Sequence, residues 1–294
     1  SDITDHDLFV KQPTGYEKLD SEGRPYVCKL KKGLYGTKQA ARLWNIKFRN
    51  FLLQRGWRQY ESDPCLFSRH TSRHGHEIIG VYVDDICHVC ASPKAHTALL
   101  TACNSVFPTT SQGELTWILG MHIKRNRHTR TLTLDQSQSI HDFLVASKFD
   151  FASSYAPTPM HEKWRYGSEP PIDDEAIISQ YRSQVGSLNF FATTVRADIA
   201  FSVHALCRYL TRPNSQCLLA VQRLQSYLSG TLALGLVYQP SADQDLSFEA
   251  YCDANWGSDE SPKSVSGSVI FFAGGPIDWS SKLQSVVALS SAES

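Results

Sequence analysis

The spacing of apolar and polar positions predicts short helices and strands along the whole chain. Residues 38–54 carry apolar side chains at helical spacing with cations between them, which predicts a basic amphipathic helix. Its apolar positions are Ala41, Trp44, Phe48, Phe51 and Leu52.

Two β-rich runs, 77–83 and 86–90, lie on either side of Asp84 and Asp85 and predict a hairpin. The other elements expected in this half are a helix over 95–105, strands over 114–124 and 131–135, and a helix over 139–149 with Ser139 as its N-cap.

A proline-rich stretch without apolar periodicity, 151–171, is expected to be a linker. The elements expected after it are helices over 181–192, 199–210 and 221–228, strands over 246–252, 265–272 and 277–281, and a helix that begins near Ala288.

Composition narrows the class of protein. With 294 residues, 41% of them hydrophobic, the chain can bury a core and is not of the disordered class. It contains no run of about 18 apolar residues and does not begin like a secretory signal, so we expect no membrane partner. The eight cysteines are scattered, which favours reduced thiols over a disulfide framework. A soluble, intracellular, globular protein is expected.

Charge is balanced overall but segregated along the chain. The 29 Lys and Arg equal the 29 Asp and Glu, yet residues 23–60 contain ten Lys or Arg and no carboxylate. A second basic cluster covers residues 122–130. Aromatic residues such as Tyr35, Trp44 and Trp57 lie among the first set of cations, as phosphate contact combined with base stacking would require. The alternative, an ordinary solvated helix face, stays open at this stage.

The pair Asp84-Asp85 is the most informative chemical feature. Unpaired carboxylates are costly to bury, so this pair needs water, an ion-pair partner or a bound cation. A plain Asp-Asp turn in water is one alternative, but such a turn usually has Gly or Asn beside the Asp, and neither is present. The spaced cysteines Cys87 and Cys90 are a weaker metal candidate, because residues three apart on a strand point to opposite faces.

Residues 82–85, Tyr-Val-Asp-Asp between hydrophobic strands, resemble the metal-binding hairpin of reverse transcriptases. Residues 29–44 are similar to the motif that precedes it in copia-type (Pseudoviridae-like) LTR retrotransposon polyproteins. Further blocks resemble that family in order, the last four being similar to the start of its ribonuclease H domain: 12–15, 63–67, 117–123, 158–160, 181–188, 198–201, 227–231, 253–257, 263–267, 279–282 and 288–291.

The resemblance implies an RNA-directed DNA polymerase that works by two-metal nucleotidyl transfer. Asp84 would bind two Mg²⁺ ions, with Mn²⁺ as a possible substitute, and Asp85 would have a more peripheral role. Asp253 would be one of four carboxylates that hold two metals for cleavage of RNA in a hybrid. The residues implied beside the incoming nucleotide and template are Tyr35, Gly36, Lys38, Gln39 and Arg42. Those implied to grip the primer end, within 117–123, include Trp117, Leu119 and Gly120.

The resemblance also implies the fold and the partners. The expected class is α+β, with partial fingers and palm over 1–110, a more helical thumb and connection over 111–240, and the N-terminal part of a ribonuclease H domain over 246–294. The partners would be an RNA or DNA template-primer, deoxynucleoside triphosphates, and the integrase and other parts of the same polyprotein. By family, the location would be a cytoplasmic virus-like particle or the nucleus.

Two departures from the family pattern affect activity. The family supplies another Asp from a palm strand upstream of the acidic residues 1–8, and a ribonuclease H carboxylate that aligns one position past Ser294. Both metal sites are therefore expected to lack ligands, and the isolated chain is expected to be inactive or nearly so. The alternatives are a non-catalytic nucleic-acid-binding remnant of a degenerate element and a fragment that does not fold.

Overall fold

In a computed structural model, the chain forms two compact units, Ser1–Gly113 and Glu114–Ser294. The structure describes residues 8–31, 33–34, 38–152, 155–239, 247–257 and 262–293, with the side chains of residues 38 and 39 left out. Both units combine α-helices with antiparallel sheets, so the architecture is mixed α and β, as the α+β expectation requires.

The first unit contains six strands and two helices among its described residues. They are β1 (Phe9–Lys11), β2 (Val27–Lys29), α1 (Lys38–Leu53), β3 (Arg58–Gln59), β4 (Leu66–Thr71), β5 (Gly75–Tyr82), β6 (Asp85–Cys90) and α2 (Pro93–Asn104). Strands β3 to β6 form a four-stranded sheet in sequence order, and β1 pairs with β2 in a separate hairpin. The sequence patterns predicted α1, α2 and the β5–β6 hairpin but missed β1 to β4.

One face of the four-stranded sheet is buried under the two helices. Residues Phe48, Phe51 and Leu52 of α1 and Leu99 of α2 pack in one core with inward-facing sheet residues. Each such side chain stabilises the fold by about 1.5–3 kcal/mol when it is fully buried. Because α1 places its apolar stripe in this core, its cations remain on the exposed side.

Alternation along β5 determines which side chains face the core. Glu77, Ile79 and Val81 are buried, whereas Ile78 and Tyr82 are exposed on the opposite face. Cross-strand partners share a face, so Asp85, which pairs with Tyr82, belongs to the exposed face.

The second unit contains two sheets and a helical core. Its elements are β7 (Trp117–Ile118), β8 (Met121–Asn126), β9 (Thr131–Asp135), α3 (Ser137–Ala146), α4 (Glu175–Thr194), α5 (Ala200–Cys207), α6 (Ser215–Gly230), β10 (Leu236–Tyr238), β11 (Glu249–Asn255), β12 (Val265–Phe272) and β13 (Gly275–Leu283). One sheet has the order β10-β9-β8-β7 and the other the order β11-β12-β13.

A buried arginine ties the ends of α4 and α6 together. The Arg196 side chain is 1% exposed and donates two hydrogen bonds to the carboxylate of Asp198, at 2.9 and 2.7 Å. It also donates to the backbone carbonyl and the hydroxyl of Thr231, and the Tyr227 hydroxyl donates to Asp198 at 2.9 Å. The motif blocks 198–201 and 227–231, which are separate in the sequence, therefore meet at Arg196. The charges of Arg196 and Asp198 neutralise each other in this cluster.

Three sequence expectations in the second unit are wrong. The strand expected over 114–124 is a tight hairpin, β7 and β8, because Leu119 and Gly120 both have positive φ and reverse the chain. Helix α3 begins at Ser137 rather than after Ser139, since the carboxylate of Asp135 accepts bonds from the backbone and hydroxyl of Ser137. Near Ala288 the described residues form only a turn and no helix.

The stretch expected to be a linker is also not a loose spacer. Its described residues contain no helix or strand, but Met160 is buried in the helical core and Trp164 and Tyr166 pack against it. The Trp164 indole donates to the carbonyl of Gln216 and the Tyr166 hydroxyl to that of Arg212. The prolines prevent a helix, and the aromatic residues between them attach the segment to the core.

Among the described helices, none is both long and apolar enough to cross a membrane.

The Gly235→Ala change tests how closely β10 packs on β9. A Cβ at Gly235 would overlap the carbonyl oxygen of Leu134 and crowd the Asp135 side chain. We expect the free energy of unfolding, measured by urea denaturation, to fall by about 1–3 kcal/mol. The matched control is Gly186→Ala in α4, where the added Cβ meets nothing within 4 Å; it should gain about 0.5–1 kcal/mol of stability. Equal stability of the two variants would contradict this packing.

Candidate metal-binding hairpin and nucleic-acid surface

The hairpin of β5 and β6 brings two carboxylates to one tip. Tyr82 pairs with Asp85, so Val83 and Asp84 form a two-residue turn. The inner face of both strands is buried on α1 and α2, which fixes the register, since a slip of one residue would move Ile79 and Val81 out of the core. The sequence therefore places Asp84 and Asp85 next to each other at the end of a rigid ladder.

The turn contains an unfavourable backbone conformation. Val83 has φ 51°, a value that L-residues with a branched β-carbon rarely adopt. Two-residue hairpin turns require positive φ at the first turn position, which Gly or Asn usually supplies. Such strain costs on the order of 1–3 kcal/mol and concentrates at functional sites. The Val83 strain is therefore a second observation, independent of the carboxylates, that indicates a functional turn.

Both carboxylates are available as ligands. Asp84 and Asp85 are exposed, and in the described part of the chain neither forms an ion pair or a side-chain hydrogen bond. Hard divalent cations such as Mg²⁺ prefer oxygen ligands of this kind. The donor chemistry fits a divalent cation, although within the described residues no group of three or more His, Cys, Asp or Glu side chains is placed to hold a metal.

The residues expected beside the nucleotide lie at or before the start of α1. Tyr35 and Gly36 are outside the described residues, and the side chains of Lys38 and Gln39 are not described. Arg42 is exposed on α1. The structure therefore leaves the proximity of this segment to Asp84 as a prediction.

The basic segment, residues 23–60, contains exposed cations that have no carboxylate partner among the described residues. Arg42, Lys47, Arg49 and Arg58 are exposed, and none has an ion-pair partner among the described residues. Lys47 lies over the Phe107 ring at 5.4 Å, and the Arg49 guanidinium donates to Gln59. Arg24 of the same segment does form ion pairs, with Asp20 and Glu22. A surface with unneutralised cations is suited to a polyanion.

The residues expected to grip a primer form the β7–β8 turn of the second unit. Trp117 is half-exposed and its ring lies 6.0 Å from that of His122. Leu119 and Gly120 form the turn, with φ 51° and 76°. The Ser139 hydroxyl donates to the Gly120 carbonyl at 3.1 Å, so α3 supports the turn.

Asp253 lies on β11 of the three-stranded sheet. It is exposed and pairs with Gly267 of β12. Its carboxylate accepts the backbone N–H of Ala254 at 2.9 Å. This sheet is attached to the helical core because Trp279 donates to the carbonyl of Ala192 and the Leu283 N–H donates to His204. Within the described residues Asp253 belongs to no group of three or more His, Cys, Asp or Glu side chains that could hold a metal.

The sequence analysis missed a buried ion pair between strands β4 and β5. Glu77 is fully buried and accepts three hydrogen bonds from the Arg69 guanidinium, at 2.9, 3.0 and 3.2 Å. The Arg69 guanidinium also lies over the Trp57 ring, 4.5 Å from its centre. The sequence did contain a signal: Glu77 lies two residues before Ile79 and four before Val81, so it faces the same buried side of the strand. A buried carboxylate requires a cation, which a neighbouring strand can supply.

The network continues through two histidines towards the surface. His88 Nε2 lies 3.3 Å from Glu77, outside good hydrogen-bond alignment, and its Nδ1 is 3.4 Å from Nδ1 of His96. His96 Nε2 is 2.9 Å from the Ser111 hydroxyl. Burial lowers the pKa of His88 most, the Glu77 carboxylate opposes this, and His96 lowers the pKa further. His88 is therefore a neutral core histidine.

The two cysteines of β6 do not converge on a metal. Cys87 pairs with Gly80 on the exposed face, and Cys90 pairs with Glu77 on the inner face. Burial raises the pKa of the Cys87 thiol, and the Cys90 thiol donates to the Ser92 carbonyl. The expectation that they point to opposite faces is confirmed.

Comparison with known proteins gives a consistent result. The family described as "Reverse transcriptase (RNA-dependent DNA polymerase)" matches residues 1–162. The chain is 32% identical to the retrovirus-related Pol polyprotein from transposon TNT 1-94 of Nicotiana tabacum and 35% identical to that from transposon RE1 of Arabidopsis thaliana. These matches cover 98% and 99% of the chain but only 22% and 19% of the polyproteins, so the chain spans about a fifth of their length.

A shorter relative matches nearly end to end. The chain is 31% identical to a transposon Ty5-1 protein of Saccharomyces cerevisiae, over 98% of this chain and 92% of that protein. No solved structure is significantly similar.

The buried His88 makes stability depend on pH. Its pKa is lowered in the folded chain relative to the ordinary value of 6.5, so the unfolded chain takes up this proton first as pH falls. The contribution is fully present above pH 6.5 and is lost as pH falls from 6.5 towards the lowered pKa. We expect the free energy of unfolding to decrease over that interval, and His88→Asn to make the decrease shallower.

The control for this titration is His128→Asn, which removes an exposed imidazole from the β8–β9 turn. Urea unfolding at half-unit steps from pH 5 to 7.5 measures the slopes. Identical slopes for the wild type and His88→Asn would show that His88 is not held neutral in the core.

Proposed function

Since this chain belongs to the reverse transcriptase family of copia-type retrotransposon polyproteins, we propose that its β5–β6 hairpin is the metal-binding hairpin of an RNA-directed DNA polymerase. The observation that carries the proposal is the strained two-residue turn at which Asp84 and Asp85 follow each other, both exposed and without a side-chain partner among the described residues. Any two-residue hairpin turn requires positive φ at its first position, and Gly or Asn adopts it with little strain. The presence of the strained Val83 at this position is the feature that favours a functional turn over a plain solvated one.

The proposed reaction is nucleotidyl transfer from a deoxynucleoside triphosphate to a primer 3′-hydroxyl. Mg²⁺, or Mn²⁺ in its place, would supply charge neutralisation at the phosphates and a lower pKa for the attacking hydroxyl. Asp84 and Asp85 would hold the cation, Asp84 more centrally, and their negative charge would orient it towards the triphosphate. The rigid ladder beneath them keeps both carboxylates in one place during the reaction.

The substrates of the proposed polymerase are nucleic acids. The unpaired cations Arg42, Lys47 and Arg49 on α1 support contact with template phosphates. We propose that Tyr35, Gly36, Lys38, Gln39 and Arg42 form the nucleotide and template side of the site. Trp117, Leu119 and Gly120 would contact the primer end.

The remaining assignments follow the same proposal. Residues 1–110 would be fingers and palm, 111–240 thumb and connection, and 246–294 the first part of a ribonuclease H domain. The three antiparallel strands β11 to β13, with Asp253 exposed on the first, support the last assignment. The partners would be the template-primer, the deoxynucleoside triphosphates, and the integrase and other parts of the polyprotein.

We propose that the isolated chain extends primers weakly or not at all. Polymerases with two metals need more carboxylates than one pair, and among the described residues no group of three ligands meets. A second candidate function, nucleic-acid binding without catalysis, is favoured by the unneutralised cations of the basic segment. The two functions share a binding surface and differ at the hairpin.

Primer extension on an RNA template in Mg²⁺ or Mn²⁺ tests the hairpin assignment. We expect any extension by the chain to fall at least about a hundredfold in Asp84→Asn, because an amide cannot replace a charged metal ligand. Asp85→Asn should fall less. The matched control is Glu61→Gln, which changes an exposed carboxylate of the same unit that forms no ion pair or hydrogen bond within the described part of the chain. Extension that survives Asp84→Asn would overturn the assignment.

Template-primer binding measured at several salt concentrations distinguishes non-catalytic nucleic-acid binding from the polymerase function. Binding without extension, unchanged in Asp84→Asn but with a salt slope reduced by about one in Arg42→Ala, would support the non-catalytic function. Fluorescence anisotropy with a labelled duplex gives both quantities. If the chain binds no template-primer at low salt, both functions are excluded for the isolated chain.

A further inference from the structure

The hairpin of β4 and β5 places two histidines directly opposite each other on the exposed face of the sheet. His70 of β4 pairs with His76 of β5, and their ring centres are 4.4 Å apart with an angle of 50° between the planes. Both residues are exposed, and within the described residues neither ring has a hydrogen-bond or ion-pair partner. Cross-strand pairing therefore brings the two imidazoles together, and their ring nitrogens have no partner within the described residues.

The neighbouring pair of the ladder holds this arrangement in place. Arg69 and Glu77 are the next cross-strand partners, and their bidentate ion pair faces the core. Because side chains alternate along a strand, His70 and His76 must both face solvent. On the other side, the turn is closed by the hydrogen bond from the His74 N–H to the Thr71 hydroxyl, at 3.0 Å. The positions of the two imidazoles are therefore set by the fold.

The geometry suits a shared metal ion. With metal–nitrogen distances of about 2.0–2.1 Å, two imidazoles on one ion have ring centres about 4.5–5.5 Å apart. The observed 4.4 Å needs only a small side-chain adjustment to reach that range. Imidazole nitrogen binds borderline cations such as Zn²⁺, Ni²⁺ and Cu²⁺ and is a poor ligand for Mg²⁺.

We propose that His70 and His76 form a two-histidine site for a borderline divalent cation, Zn²⁺ being the representative ion, with water completing the coordination. The site is separate from Asp84 and Asp85, which lie at the other end of β5, and it does not depend on the proposed polymerase function. Occupancy would link β4 to β5 and stabilise the hairpin that leads to the carboxylate turn.

Calorimetric titration of the full chain with ZnCl₂ at pH 7.5 tests the site. We expect Zn²⁺ binding that weakens at least tenfold in His70→Ala and in His76→Ala, and no Mg²⁺ binding at this pair. The control His128→Ala removes an exposed imidazole elsewhere and should change the affinity less than twofold. Far-UV circular dichroism of each variant establishes that it folds; both replaced side chains are exposed, so no core packing is lost.

Long-range proton–nitrogen NMR of the histidine-labelled chain identifies the ligands directly. Zn²⁺ should shift the ring nitrogens of His70 and His76, assigned from the two variants, before those of other histidines. The proposal is overturned if the wild type does not bind Zn²⁺ in the titration, if the two variants bind it as tightly as the wild type, or if other histidines shift first.

Discussion

The antiparallel ladder between β5 and β6 is the constraint on which the candidate site depends. Ile79 and Val81 anchor its inner face in the core of the first unit, and the buried Glu77–Arg69 ion pair fixes the neighbouring β4 in the same register. A shift of one residue would bury Ile78 and Tyr82 and leave Glu77 without its cation, so alternative registers are strongly disfavoured. The position of Asp84 and Asp85 at the tip is a consequence of that register.

The same ladder explains why one small sheet carries several kinds of chemistry. Its inner face holds the charged pair Arg69 and Glu77, which neutralise each other, and the polar contacts continue from Glu77 through His88 to His96 of α2. Its outer face is exposed at Ile78 and Tyr82 and presents the paired imidazoles of His70 and His76. Its tip contains Val83 in a strained backbone conformation. This strain lowers the stability of the fold, and the turn that it accompanies fixes the direction of the carboxylates.

Helices with strong apolar spacing could be predicted from the sequence, and so could the hairpin with its two aspartates. Helix α1 and strands β5, β6, β9 and β12 lie close to their predicted bounds because each contains several apolar side chains at a spacing that the sequence shows. The short strands β3, β7 and β10 could not be found, since two or three residues carry too little periodicity. Strand β10 also pairs with β9, which is distant in the sequence, whereas β3 and β7 pair with the next strand along the chain.

Similar reasons limited prediction of the site. The sequence alone does not show that Arg69 lies opposite Glu77, because that pairing depends on the register of β4 and β5. The short distance between His70 and His76 depends on the same register. The resemblance to reverse transcriptases singled out Asp84 and Asp85 from residues 82–85 and their surroundings. The family comparison shows the family, and the role of the two carboxylates stays a proposal. It could not predict that the turn would adopt positive φ at Val83, which depends on loop length.

The most direct test of the central claim is a crystal of the chain soaked in Mn²⁺ and measured at an anomalous wavelength. The account predicts an anomalous peak about 2.0–2.3 Å from carboxylate oxygens of both Asp84 and Asp85. The peak should disappear in crystals of the Asp84→Asn variant. A hairpin tip without a peak, in crystals that bind Mn²⁺ at other carboxylates, would contradict the claim that this turn holds the cation.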